Sequence, residues 1–215
     1  MPIFFDFIPG KIQGWPIWVD RELSDEEFVG RLERVGILKA VAISRNLEGF
    51  RDAKGLRHLV HHWCPSLHTF FFSVGELAIT LEDVVNSFLL PVFGDENPFD
   101  ISLSEEDLKV ENKLFSHFGG HTTSPSGKPA RMRKWVMTLS REKDKEVRRA
   151  GFLVFWLSKF LFSEFPGYGV KSTCFPLAIK LAQGTQYPLA PLFLGYVYSN
   201  WISFTKMKPK ATLVM

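Results

Sequence analysis

Apolar residues along this chain recur mostly with the 3.6-residue spacing of one helical face. In "SDEEFVGRLERVGILKAVAIS", Phe28, Leu32, Val35 and Leu38 keep that spacing. Ser24, with Glu27 three residues on, has the form of a capping box, so a helix is predicted from Ser24 past Leu38. "DAKGLRHLVHHWC" puts Leu56, Leu59, Val60 and Trp63 on one helical face, with Pro65 as its stop. The period then shortens. Residues 69–73 are strand formers, Val74-Gly75-Glu76 can turn the chain, and residues 77–80 can return as a second strand. Thr80 and Asp83 form another capping pair ahead of the apolar face Leu81, Val84, Val85 and Phe88, and Pro91 follows as a stop. Ser104 as cap, Leu108, Leu114, Phe115 and Phe118 as a face and Gly119-Gly120 as terminator predict the next helix. Further helices are predicted over residues 132–141 and 145–162, then one with Pro176 in its first turn and Gly184 at its end, and a last over residues 191–201.

The pattern therefore predicts a mainly α fold: a single helical domain over residues 15–204 with a small β-hairpin near residues 69–80. Residues 1–14 read as an N-terminal extension. Residues 119–130, ending in "HTTSPSGKPA", read as a flexible loop, and residues 205–215 as a C-terminal tail where the pattern dissolves, as in a truncated chain.

Composition narrows the class. A chain of 215 residues with 46% hydrophobic and 14% aromatic positions can bury a full core. The two cysteines, Cys64 and Cys174, are too few for a disulfide scaffold, and N-x-[ST] acceptors are absent, which points to an intracellular setting. The apolar N-terminus lacks a basic leader region and is interrupted by Asp6, Pro9, Gly10 and Lys11. The most apolar run, "GFLVFWLSKFLF", contains Lys159 and falls well short of the roughly 20 residues that span a bilayer, so it reads as a buried helix and no membrane partner is expected.

Charge is uneven along the chain. Nine basic residues (Lys128, Arg131, Arg133, Lys134, Arg141, Lys143, Lys145, Arg148 and Arg149) face three acids, Glu142, Asp144 and Glu146, in one window, a local excess of six on a chain of net charge +3. The remainder is therefore acidic. Such a stretch can bind phosphates or an acidic partner, and "KPARMRK" has the composition of a nuclear import signal. Equally, it can be the solvated surface beside a buried helix. Lys128, Arg131, Arg133, Lys134, Arg141, Lys143, Arg148 and Arg149 are the candidate contact residues, with no base-reading signature beside them.

Two segments together resemble the plant mobile domain family. They are "WCPSLHTFFFSVGELAITLEDVVNSFLLPVFGD", with its HTF strand, GE turn, TLEDV and LPV-x-G ending, and "FLVFWLSKFLFSEFPGYGVKSTCFPLAIKLAQGTQYPLAPLFLGYVYSNW". With "GILKAVAISRNL" the resemblance spans residues 15–201. The chain departs from it at Ser87-Phe88, where the Gly that usually precedes Leu-Pro is missing, and it ends where longer members continue. The resemblance implies a plant protein, related to retrotransposon-borne domains, that acts in the nucleus in meristem maintenance and in silencing of transposable elements and genes. Its partners would be proteins of a nuclear complex, a phosphatase-like protein among them, or nucleic acid. The family also carries the label aminotransferase-like.

The residues give that label no support. Pyridoxal chemistry needs a Schiff-base lysine, a carboxylate for the ring nitrogen and a phosphate cradle, and Lys159 in "WLSKFLF" reads as a lysine at a helix edge. "GHTTSPSGKP" has the wrong glycine spacing for a P-loop, "GYGVKS" lacks a third glycine, and the metallophosphatase motifs are absent. Glu76, Glu82 and Asp83 offer acid–base groups, but they also suit a turn, a helix dipole and a cap. The run from His58 to His68 (His58, His61, His62, Cys64, His68) permits a zinc site or the remnant of a metal- or cofactor-dependent enzyme, without being an H-E-x-x-H helix. The alternating Phe70, Phe71 and Phe72 read as core residues, with one ring turned outward as a docking patch. The expectation is a non-enzymatic interaction module without catalytic residues, metal or cofactor. The alternatives are an enzyme using the histidine cluster, or a degenerate transposon-derived copy.

Overall fold

The computed structural model describes residues 12–47, 52–119, 131–163 and 169–206. They form ten α-helices and one small antiparallel sheet, a mainly α fold. Most of the N-terminal extension, the loop 120–130 and the tail from 207 lie outside the described residues.

Helix α1 (Trp15–Leu23) stands where no element is expected from the sequence; Pro16 opens it, and Trp15, Trp18, Val19 and Glu22 form its buried face. Helix α2 (Glu26–Val35) is capped one residue later than predicted. Asp25, not Ser24, accepts the Phe28 N–H, because the Ser24 hydroxyl donates back to the Arg21 carbonyl at 2.7 Å and closes α1. Nor does the helix run past Leu38. Gly36 takes a left-handed φ of 79°, and the Gly36 and Ile37 amides bond back to Glu33 and Leu32, so α3 (Leu38–Ser44) starts as a separate helix.

Helix α4 (Ala53–His62) keeps its predicted face, but Trp63 leaves it. Trp63 is extended and pairs with Phe70, giving β1 (Trp63–Cys64) beside β2 (Thr69–Phe72), and β3 (Gly75–Leu77) completes a three-stranded sheet. The turn falls at Ser73-Val74, a residue earlier than expected, and Phe71 pairs with Glu76. Phe70 is buried against Trp63 and Trp201, Phe71 is exposed, and Phe72 is half-buried beneath His62. Helix α5 (Leu81–Phe88) begins with both halves of the Thr80–Asp83 capping box formed. The loop after it carries the LPV-x-G residues. Ala190 N–H donates to the Pro91 carbonyl at 2.9 Å, and Gly94 lies so close to the Tyr187 backbone that a Cβ there would overlap it.

Helix α6 (Glu105–Gly119) is capped reciprocally by Ser104 and Asp107, and α7 (Met132–Leu139) leads to α8 (Lys145–Trp156). Every residue of α8 from Val147 to Trp156 is buried, as befits a helix apolar nearly all round. Its continuation, Leu157–Leu161, widens into a π-helix in which Phe162 N–H reaches back five residues to Leu157. A 3₁₀ turn (Ser172–Cys174) precedes α9 (Phe175–Gln183), which opens with Pro176 and ends at Gly184 as predicted. Helix α10 (Leu189–Lys206) starts two residues before the predicted Pro191.

The core gathers around α8. Trp15 of α1 stacks on Phe152 at 4.8 Å and lies 4.5 Å from Phe155; such ring pairs add about 0.5–1.5 kcal/mol beyond burial. Trp135 of α7 donates its indole N–H to the Gly151 carbonyl at 2.9 Å, which satisfies a polar atom 1% exposed. On the far side, α9 covers α8 and is fastened to α6 by Asp107. That buried carboxylate accepts from Lys180 at 2.7 Å and Gln183 at 2.6 Å. Burial would raise the Asp107 carboxyl, but the Lys180 ammonium, the Ser104 amide and Gln183 hold it well below the usual carboxylate range.

Candidate functional site

The eight candidate contact residues fall into different environments. Lys128 lies outside the described residues. Met132, Trp135, Val136 and Leu139 turn the inner face of α7 to the core, which leaves Arg133, Lys134, Met137 and Thr138 on the outer face. Lys134 and Thr138, at i and i+4, run along one exposed line of the helix, and Arg141 is exposed in the turn that follows it. Arg131 is exposed just ahead of Met132, where its backbone bridges to Gly169, and Lys143 is exposed in the turn before α8. Arg133 reaches Gln13 at 3.5 Å. None of Arg133, Lys134, Arg141 and Lys143 has an ion pair among the described residues.

Arg148 and Arg149 are not part of this surface, which corrects the reading made from charge alone. Arg148 is 7% exposed, and its Nε donates to Glu22 Oε1 at 2.7 Å, the same oxygen that accepts from Trp18 Nε1 at 3.0 Å. Arg149 is 1% exposed. It donates to Asp25 at 2.9 Å, Glu27 at 3.0 Å and Glu146 at 3.1 Å, with its guanidinium carbon 5.3 Å from the Phe28 ring centre. These two arginines tie α8 to α1 and α2. Burial would raise the Asp25 carboxyl, but Arg149 outweighs it and, with the Phe28 amide and Lys145, holds it at about 2. The signal was present in "VRRAGFLVFW". Two arginines inside a helix with no polar face must go inward with their counter-charges.

The three acids of the window also work locally. Asp144 caps α8 through the Glu146 and Val147 amides and takes Lys113 Nζ at 2.6 Å. Glu142 accepts the Lys143 and Asp144 amides and lies 3.4 Å from His117, while Glu146 takes Arg149 and Arg31. Asp144 and Glu146 are thus paired with Lys113, Arg31 and Arg149, which leaves Glu142 as the acid among Arg131, Arg133, Lys134, Arg141 and Lys143.

The histidines spread over different contacts. His58 and His62 rings lie 4.5 Å apart, His62 stacks on Phe72 at 4.6 Å, and its Nδ1 lies 2.5 Å from the Phe71 carbonyl. His61 is exposed, and His68, with a φ of 57°, closes the turn by donating its amide to the Cys64 carbonyl. Ser66 hydrogen-bonds the Cys64 thiol and lowers its pKa. Among the described residues, no three His, Cys, Asp or Glu side chains come together as a metal-holding group. Glu76 accepts from Thr69 across the hairpin, and Asp83 accepts from Thr80 as the third residue of the α5 capping box. Lys159 lies half-buried in the π-helical segment, its ammonium lowered to about 8 by burial, with Nζ 5.6 Å from the Phe160 ring. No described helix is long and apolar enough to cross a membrane.

The described residues thus define a mainly α-helical domain with one cationic helix face turned to solvent. By its sequence the chain belongs to the plant mobile domain family, whose family model matches residues 36–214. Helices α1 and α2 precede the matched stretch, yet Trp15, Trp18, Phe28 and Leu32 sit in the same core as the rest. No curated protein and no solved structure matches the chain.

Proposed function

We propose that this plant mobile domain is a non-enzymatic interaction module of a nuclear complex. It serves silencing of transposable elements and genes, and with it meristem development. The contact is made by Arg131, Arg133, Lys134, Arg141 and Lys143, which receive nucleic-acid phosphates or an acidic segment of a protein partner, a phosphatase-like protein among the candidates. One observation carries this reading. The basic residues that need internal partners, Arg148 and Arg149, have them, whereas those along the outer face of α7 have no ion pair among the described residues. Exposed unpaired cations in a row cost the fold little and provide a field for an anionic partner.

Fluorescence anisotropy with labelled 20-base single- and double-stranded oligonucleotides, and with a polyglutamate peptide, tests it. The triple variant R133E/K134E/R141E is expected to bind at least about tenfold more weakly than wild type at low salt. Its melting temperature should be unchanged, because all three side chains are exposed. Equal affinity of the two proteins for all three probes overturns the reading.

A further inference from the structure

A second surface lies away from the chemistry so far described. The loop after α5 and the first half of α10 enclose a groove of about 750 Å³, floored by Cys174 and Leu177. Pro98, Phe99, Pro191 and Tyr196 line it, so its walls are apolar and rich in proline and aromatic rings. Two features keep it open. Phe99 holds its ring 84% exposed at the rim instead of packing it inward. Gly195 sits within α10 with nothing within 4 Å of where a Cβ would project. A glycine inside a helix costs about 1 kcal/mol against alanine, and here it leaves the space beside it clear.

The chain segment that supplies Glu96, Pro98, Phe99 and Ile101 to the lining is acidic. The stretch from Gly94 to Asp107 holds six acids and no lysine or arginine. Asp107 is consumed by Lys180, but Asp95, Glu96, Asp100, Glu105 and Glu106 are exposed, and none of them has an ion pair among the described residues. Glu96 itself lines the groove. An apolar groove lined with aromatic rings takes an extended, proline-containing segment. Glu96 in the lining, with Asp95 and Asp100 next to lining residues in the chain, favours cations in such a segment and penalises acids.

We infer that this groove docks an extended protein segment carrying bulky apolar anchors followed by lysines or arginines. The site is separate from the cationic face of α7, and its partner is of opposite charge to the one proposed there.

The test uses the full chain and a fluorescein-labelled peptide, GSPLWLPGKRKK, beside its acidic counterpart GSPLWLPGEDEE. Expected is saturable binding of the basic peptide, at least about tenfold tighter than the acidic one. Gly195→Leu fills the groove with a better helix former. It should therefore abolish peptide binding while melting no lower than wild type, and it should leave oligonucleotide binding through α7 intact. D95N/E96Q/D100N should weaken the basic peptide about tenfold and tighten the acidic one, so that the two converge. Equal affinity of Gly195→Leu and wild type for the basic peptide overturns the inference, as does equal affinity of wild type for both peptides. So does self-association that Gly195→Leu removes in a protein that binds neither peptide, since the occupant is then a second copy of this chain.

Discussion

Replacing Arg149 by methionine separates cations that hold the fold from cations that meet a partner. Methionine keeps the apolar stem in the core but removes the bonds to Asp25, Glu27 and Glu146 at 2.9, 3.0 and 3.1 Å. Deleting one member of a buried ion pair typically costs about 3–5 kcal/mol. Here the guanidinium is 1% exposed while the three acids are 22%, 57% and 42% exposed, so the acids rehydrate and the cost falls at the low end, about 3 kcal/mol. For a domain of this length that lowers Tm by roughly 6–12 °C. Urea unfolding followed by tryptophan fluorescence measures it, with Arg133→Met as the exposed control, expected within about 0.5 kcal/mol of wild type. The loss should also depend on pH. The Asp25 carboxyl is held at about 2 against an ordinary 3.8, so its stabilisation is complete above pH 4 and disappears as pH falls through 2. The gap between wild type and Arg149→Met should therefore narrow over that interval. A cost below about 1 kcal/mol at pH 7, or a gap constant from pH 5 to pH 2, refutes the assignment of Arg149 to the interior.

Gly94→Ala should destabilise by about 1–3 kcal/mol, because its methyl group meets the Tyr187 backbone and not a side chain that can turn aside; a thermal melt shows it. Thr80→Ala removes one half of the α5 capping box and should cost about 1 kcal/mol in urea unfolding, with a further loss when Asp83→Ala removes the surviving bond from the residue 80 amide.

Most of the helices were legible because their apolar faces and caps are local properties. Thr80 with Asp83 and Ser104 with Asp107 form the reciprocal bonds that their spacing suggests. Where the reading failed, either a competing local bond, as at Ser24 and Gly36, or a partner distant in sequence decided the outcome. Ser24 and Asp25 both suit a cap, and Asp25 also faces Arg149, 124 positions away. Trp63 has helical spacing, yet its backbone pairs with Phe70. The basic window looked uniform as a count of charge. Its division into an outer row on α7 and an inner pair on α8 depends on which helix the core surrounds. The apolar run of α8 carried that information, but of the acids that receive Arg148 and Arg149 only Glu146 is on α8; Glu22 lies on α1, Asp25 caps α2 and Glu27 lies on it, and no local pattern marks these three as counter-charges. The groove beside α10 is assembled from four separated stretches and had no signature in any of them.

The slope of binding affinity against salt concentration tests the cationic face most directly. Oligonucleotide affinity of the wild-type chain, measured from low to moderate salt, should fall with a log–log slope of about −3 to −4, as four or five phosphate contacts require. In R133E/K134E/R141E that slope should collapse towards zero at unchanged Tm. A wild-type slope near zero, or the same steep slope in both proteins, contradicts the assignment of this face to an anionic partner.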